Sequence, residues 1–378
     1  MKRFLLPLVL VLCYFSCSQK DNDTVKGSAD FHLEIVDSIR IDRLGSLWIQ
    51  DYDSISRQYI AVTEKTDQEL IVFNDTGEIT SVITIALEGP NAIHGIFSLS
   101  FRNSEIKILD SDTGFYSLNT DGVIQSKISL PYPYMFIGPG LGGAFNSLGN
   151  EIAYLRPINR DSITGGMEWM AEDQYTKPVL EVMDTLSSEI RKTMAFPQTS
   201  RYADGNFYFF PFPTVKKYAD RWYLYFWKEL KYFVYKEEGE ELVLEKTVDL
   251  EALDAVLPKP LPFSEVGQYL ELTHSIKPGY IFQLYRYAGK TIVIYRKGFP
   301  EDLVLQSQAD ESVELVDKDF AAVFDEQNNL VMNEIELPEG LVFSSMITEK
   351  GEILAKKNQD FFGVEEDFVV YYKLKLLN

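Results

Sequence analysis

Apolar and polar residues alternate most cleanly over residues 59–85, in the stretch YIAVTEKTDQELIVFNDTGEITSVITI. A period of two, carried mainly by β-branched residues, predicts three strands there. These are YIAVT, then ELIVF beyond a short polar loop, then EITSVITI beyond a tight NDTG turn. The unit recurs in altered form along the chain. One copy cannot cover its own apolar faces, so the copies must pack on one another.

Six units can be drawn, each built of strands A to D counted from the inside out. The first takes residues 46–52, 58–63, 69–73 and 78–85, and the second 95–101, 105–109, 114–118 and 123–130. The third takes 143–147, 151–155, 178–183 and 188–196, and the fourth 212–216, 221–227, 231–235 and 241–250. The fifth takes 280–286, 290–296, 320–324 and 329–337, and the sixth has only 341–347, 351–356 and 367–376. Residues 31–41, FHLEIVDSIRI, alternate in the same way and belong to no other unit. Pairing them with 367–376 closes a ring and removes an exposed sheet edge. The expected fold is therefore all-β, a six-bladed β-propeller of four-stranded sheets around a central channel. Seven blades remain open because the fifth unit is long. A β-sandwich with a second domain is the other architecture weighed, and it needs a linker that the chain does not display. Helical patterning is confined to a short stretch near residues 250–257.

Loop lengths then distinguish two faces. In a propeller the A–B and C–D turns share one face, and the B–C and D–A loops share the other. The A–B turns, around Ser54, Asn103, Gly149, Ala219, Ala288 and Glu349, are all short. The C–D turns carry turn-forming clusters such as NDTG, NTDG and KEEGE. The long insertions, 131–142, 156–177, 197–211, 251–279 and 297–319, all fall on the B–C and D–A side. Long loops on a rigid scaffold tend to carry function. Candidate ligand-binding residues there are Tyr132, Tyr134, Arg156, Arg201 and Tyr202, with His94 in the shorter loop GPNAIHG. Tyr and Arg suit binding because each combines a large contact area with a polar group. The competing expectation is that the rings pack the loops onto the blades.

Other motifs carry less. Gly138 to Gly143 spell G-x-G-x-x-G, but a strand follows where a dinucleotide site needs a helix N-terminus. Asp110, Asp112 and Gly114 resemble the start of a calcium loop, yet the glycine comes one position early, and a B–C turn explains the stretch. His32, His94 and His274 are far apart in sequence, which gives zinc no close ligand pair. No G-x-S-x-G elbow occurs. The acidic run 237–241 reads as a solvated hairpin tip. In 222–227, WYLYFW, period two puts Trp222, Leu224 and Phe226 on one face and Tyr223, Tyr225 and Trp227 on the other, as in a strand buried between two blades.

Composition adds limits. The chain has 378 residues, of which 46% are hydrophobic and 13% aromatic, enough for a sizeable core and favourable to strands. Formal net charge is −21, and such a surface repels phosphate backbones, so no nucleic-acid partner is expected. At the N-terminus Lys2 and Arg3 precede an apolar run, 4–15, too short to span a membrane. With Ser16 before Cys17, the segment resembles a bacterial lipoprotein signal. The resemblance implies a signal over 1–16 and a lipidated Cys17; the polar, aperiodic stretch 17–30 reads as a flexible tether, and the propeller takes 31–378. Cys13 and Cys17 are the only cysteines, so on that reading neither a disulfide nor thiol catalysis is expected. Residues 19–23, QKDND, look like the acidic export tag of Bacteroidota surface lipoproteins.

With its blade repeats, the mature chain resembles the uncharacterised propeller-like lipoproteins of Bacteroidota. That resemblance implies lipid anchoring at the outer membrane, on its surface or periplasmic face, and carries no known activity. The expected function is a monomeric, non-catalytic binding module for a glycan, peptide or protein. The alternative is a lactonase-like propeller hydrolase or lyase with His94, Arg156 and His274 at the axial mouth. No cofactor, catalytic residue or metal ligand is assigned.

Overall fold

A computed structural model describes residues 31–63, 69–138 and 145–377. Cys17, the signal and the tether lie outside the described residues, as does most of the glycine-rich loop. Six antiparallel four-stranded sheets form the blades of a β-propeller. Their first strands are Leu47–Asp53, Ile96–Arg102, Phe145–Leu148, Pro213–Tyr218, Lys277–Tyr287 and Leu341–Ile347. The first strands of blades six, one and two lie against one another, as do those of five and six, so they form the inner wall.

The ring closes as the alternation implies. His32–Ile41 pairs antiparallel with Val369–Leu377, from Ile41 opposite Val369 to His32 opposite Leu377, with a bulge between Ile35 and Asp37. The N-terminal strand is thus the outermost strand of blade six. The next blade fits closely against it. Gly77, at φ +87° in the NDTG turn, has no room for a side chain, because a Cβ there would lie 1.8 Å from the Arg40 carbonyl oxygen. The length of the fifth unit comes from two long strands, Lys277–Tyr287 and Lys290–Phe299, and an insertion after them, not from a seventh sheet.

Blade four shows how the faces pack. Trp222, Leu224 and Phe226 join the core shared with blade three, while Tyr223 and Tyr225 join the core shared with blade five. Trp227 falls just past the strand and is 37% exposed. Buried tyrosine hydroxyls need acceptors, and here many find them on the next blade. Tyr371 donates to Leu47 O at 2.7 Å and accepts from Ile49 N at 3.1 Å, tying blade six to blade one. Tyr225 donates to Phe282 O at 3.1 Å, and Tyr285 to Ser344 O. Asp51 and Asp53 tie blade one to blade two by accepting from Phe101 N and Ser104 N, at 2.7 and 2.9 Å.

Four short α-helices occur among the described residues: α1 (Met167–Thr176), α2 (Tyr269–Thr273), α3 (Glu301–Ala309) and α4 (Gln359–Phe362). All sit in B–C or D–A connections. The helix expected near 250–257 is absent: Glu251 and Asp254 are left-handed, at φ 51° and 57°. The chain there runs extended, with Val256 bonded to Lys297 O and to Gly279 N, each at 2.8 Å. No helix among the described residues is long and apolar enough to cross a membrane.

Candidate functional site

The long insertions all emerge on one face, called here the loop face. A further one, 358–368, carries α4 and the exposed Phe361 and Phe362. These loops are drawn down onto the blades. Ala171 and Tyr175 of α1, Tyr202, Phe207, Leu261 and Tyr269 share one core with strands of blades three and four.

Each predicted site residue has a definite place in this cover. Tyr134 is 2% exposed; its hydroxyl donates to Asp110 O at 2.7 Å and accepts from Gly114 N at 2.6 Å. That bond pins the 131–138 loop to blade two, beside a two-stranded pairing of Tyr134–Met135 with Ile158–Asn159. Tyr132 is half-buried and donates to the buried Glu181 carboxylate, which also accepts from Tyr154 at 2.9 Å. Burial, reinforced by Glu181, raises both phenols above their ordinary range. Arg156 is bound on three sides: Nε to Pro178 O at 2.8 Å, Nη1 to Asp173 Oδ2 at 2.7 Å and Nη2 to Asp173 O at 3.0 Å. Burial alone would raise the Asp173 carboxyl, but Lys177 and Arg156 hold it below its usual value. This buried pair anchors α1 to blade three.

Arg201 is half-buried, and its backbone N–H donates to Glu229 at 3.0 Å. Glu229 is fully buried and also accepts from Ser200 Oγ at 2.6 Å; burial raises its carboxyl. Tyr202 is 1% exposed and packs against the rings of Tyr175, Tyr208 and Phe226. Its hydroxyl, like Arg201 Nε, is buried without a partner among the described residues. His94 is exposed, and its backbone N–H donates to Asp110 Oδ2 at 2.7 Å. Asp110 Oδ1 accepts from the N–H groups of Asp112 and Thr113, at 2.8 and 2.7 Å, so this carboxylate organises the B–C turn. His274 is exposed beyond α2, with Nδ1 2.6 Å from Glu271 O. Among the described residues no group of three His, Cys, Asp or Glu side chains could hold a metal ion.

Sequence reasoning missed a second set on this face. Phe212, Trp227, Tyr280 and Phe282 form a continuous run of partly exposed rings, with successive centroids 5.6, 5.3 and 4.5 Å apart. Lys228 Nζ lies 5.8 Å from the Trp227 ring, and the Arg296 guanidinium 4.6 Å from Phe282. Trp227 lies just past the buried strand; Phe212 meets it within blade four, and Tyr280 and Phe282 reach it only by the packing of blade five on blade four.

The channel holds one unusual charge. Lys216, on the first strand of blade four, is 8% exposed. Its Nζ donates to Gln283 Oε1 of blade five at 3.1 Å and to Ser345 O of blade six at 3.2 Å. The side chain thus bridges the first strands of three successive blades. No carboxylate pairs with it among the described residues, and burial lowers its pKa to about 7.

The opposite face, where the short hairpins lie, contains cavities. One of about 610 Å³ opens between blades four and five, and one of about 420 Å³ lies against the first strands of blades two, three and four. Smaller ones of about 220 and 150 Å³ lie between blades three and four and between two and three. The acidic tip 237–241 takes part here: Glu237 accepts from Lys217 at 2.5 Å and from Trp222 Nε1 at 2.9 Å, so it is not simply solvated.

Comparison with known proteins places the fold. No protein-family model matches the chain, and no curated protein sequence matches it. Among solved structures, a member of the duf4221 family from Bacteroides vulgatus aligns with TM-score 0.65 and 12% identity, over 93% of this chain and 99% of its own. A Bacteroides fragilis protein whose name proposes that it is exported aligns with TM-score 0.55 and 15% identity, over 92% and 96%. The chain thus has the fold of Bacteroides propeller proteins, as the sequence resemblance implied.

Proposed function

We propose that this protein is an exported binding module, anchored at the outer membrane through lipidated Cys17, whose propeller offers its loop face to a glycan or peptide. The observation that carries the reading is the partly exposed run Phe212, Trp227, Tyr280 and Phe282 with Lys228 and Arg296 set against the rings. Aromatic faces with adjacent cations stack on sugar or peptide units and direct polar groups towards them. His94, Tyr132 and Arg201 extend this surface, while Tyr134, Arg156 and Tyr202 hold the loops beneath it. The division into a signal over 1–16, a tether over 17–30 and a monomeric propeller over 31–378 belongs to the same reading. The name of the Bacteroides fragilis neighbour, which proposes export, accords with it.

The test is calorimetric titration of residues 18–378 with a panel of soluble polysaccharides and peptides. Trp227→Ala combined with Tyr280→Ala should weaken the ligand found by at least about tenfold. Unchanged affinity would reject the loop face. Separately, Cys17→Ser should move the full-length protein from the membrane fraction to the soluble one, and retention would reject the lipid anchor.

A further inference from the structure

Charges around the larger turn-face cavity balance, with Arg221, Lys246 and Arg286 against Asp220, Glu245 and Glu326. On the loop face one cation has no such balance. Lys228 follows Trp227 directly, is half-buried, and forms no ion pair or hydrogen bond among the described residues. Burial lowers its pKa, and no carboxylate offsets that shift. The neighbouring carboxylates are engaged elsewhere. Glu229 accepts from Ser200 Oγ on one oxygen and from the Arg201 N–H on the other. Asp317 and Asp319, at the Tyr280 end of the aromatic run, hold Arg296.

Three rings surround this ammonium. Its Nζ lies 6.0 Å from the Phe209 centroid and 5.8 Å from that of Trp227. Phe212 touches both rings, with centroids 5.9 and 5.6 Å away. Phe209 and Phe212 have left-handed backbone, at φ 72° and 45°, a conformation that is costly for bulky residues and collects at ligand sites. Phe212 meets its two neighbours at 66° and 60°, and the run continues to Tyr280 and Phe282 at 75° and 57°. The edge of each ring therefore covers part of the next one's face. A sugar stacks on an open ring face, whereas rings set edge to face leave notches that take an apolar side chain. A charge-assisted bond to Nζ would put a carboxylate oxygen about 2.8 Å from it. The rings then stand one side chain's length away, so carboxylate and apolar group fit as parts of a single residue. In a peptide only the C-terminal residue carries its carboxylate on the Cα that bears the apolar side chain.

We propose that the loop face binds the C-terminus of a peptide ending in an apolar residue, with Lys228 on the terminal carboxylate and the last side chain among Phe209, Phe212 and Trp227. This rests on the loop-face reading and narrows it from a glycan or peptide to a peptide end. The experiment is calorimetric titration of residues 18–378 with acetyl-Ala-Ala-Leu as the free acid, with its C-terminal amide and with trigalacturonate. The acid should bind with a Kd below about 1 mM, and the amide at least about tenfold more weakly. Lys228→Met, which removes an unpaired charge and does not threaten the fold, should bring the acid to the amide's affinity. Lys228→Arg keeps the charge and should fall between. Absence of binding by the acid, equal binding of acid and amide, parental affinity of the acid for Lys228→Met, or trigalacturonate bound as tightly as the acid would overturn the proposal. The double variant Trp227→Ala, Tyr280→Ala separates the two readings. If the acid fails but another ligand binds and is lost in the double variant, the peptide end is wrong and the loop face stands. If the double variant binds every ligand as the parent does, the loop face itself is wrong.

Discussion

On the loop face, long insertions are drawn down by Tyr134, Tyr175 and the Arg156–Asp173 pair until their aromatic side chains merge with the cores of blades three and four. On the turn face, hairpins of a few residues stand apart and leave cavities of about 610 and 420 Å³ between and beneath them. Among the described residues these cavities lie where the connections are too short to fill them, and the longest connections serve mainly as cover. Long loops need buried partners for their polar groups as much as any strand does. Here Asp110, Glu181 and Glu229 supply those partners. What the loop face leaves partly exposed is its outermost rings and cations.

That contrast depends on a closed ring, so the largest expected effect comes from opening it. A chain starting at residue 43 lacks the outer strand of blade six and exposes the edge of Val369–Leu377. It should lose its cooperative unfolding transition in urea; a retained transition of parental midpoint would show that closure contributes nothing. Next, Arg156→Ala leaves Asp173 buried with Lys177 alone and should cost about 3 kcal/mol in urea unfolding. Arg286→Gln on the turn face should stay within about 0.5 kcal/mol of the parent. Comparable losses at the two sites would erase the distinction between cover and cavity.

A smaller effect sharpens the picture of the channel that joins the faces. Burial lowers the Lys216 pKa from 10.5 to about 7, so the fold prefers the neutral amine while the unfolded chain stays protonated up to about pH 10. Between these values the unfolded state binds more protons, and stability rises with pH. Relative to Lys216→Met, the parent should gain about 1 kcal/mol per pH unit above pH 7, and it should carry its full penalty below pH 7. A pH-independent difference between the two would place the ammonium in water.

Most of the wheel was legible in the sequence because strand periodicity is local. Residues 58–63, 151–155, 320–324 and 341–347 were bounded as they stand in the fold. The closing strand was legible because its alternation had no partner within its own unit. α1 was not, because MEWMAEDQYT carries no apolar stripe and owes its place to Arg156 and Tyr175. Nor could spacing show that a hydroxyl such as Tyr371 would be spent on a strand more than 320 residues away. The cavities were the least legible feature, since they arise from gaps between whole blades. The loop face could be picked out by length, but length alone could not separate buried Tyr134, Arg156 and Tyr202 from exposed His94.

Backbone hydrogen exchange, followed residue by residue, tests the central claim most directly. If the long insertions are structural cover, the amides of α1 and of Arg201–Ala203 should exchange about as slowly as those of the blade strands, over minutes to hours. Exchange of these amides within seconds, at the rate of the hairpin tips around Ser54 and Ala288, would contradict it.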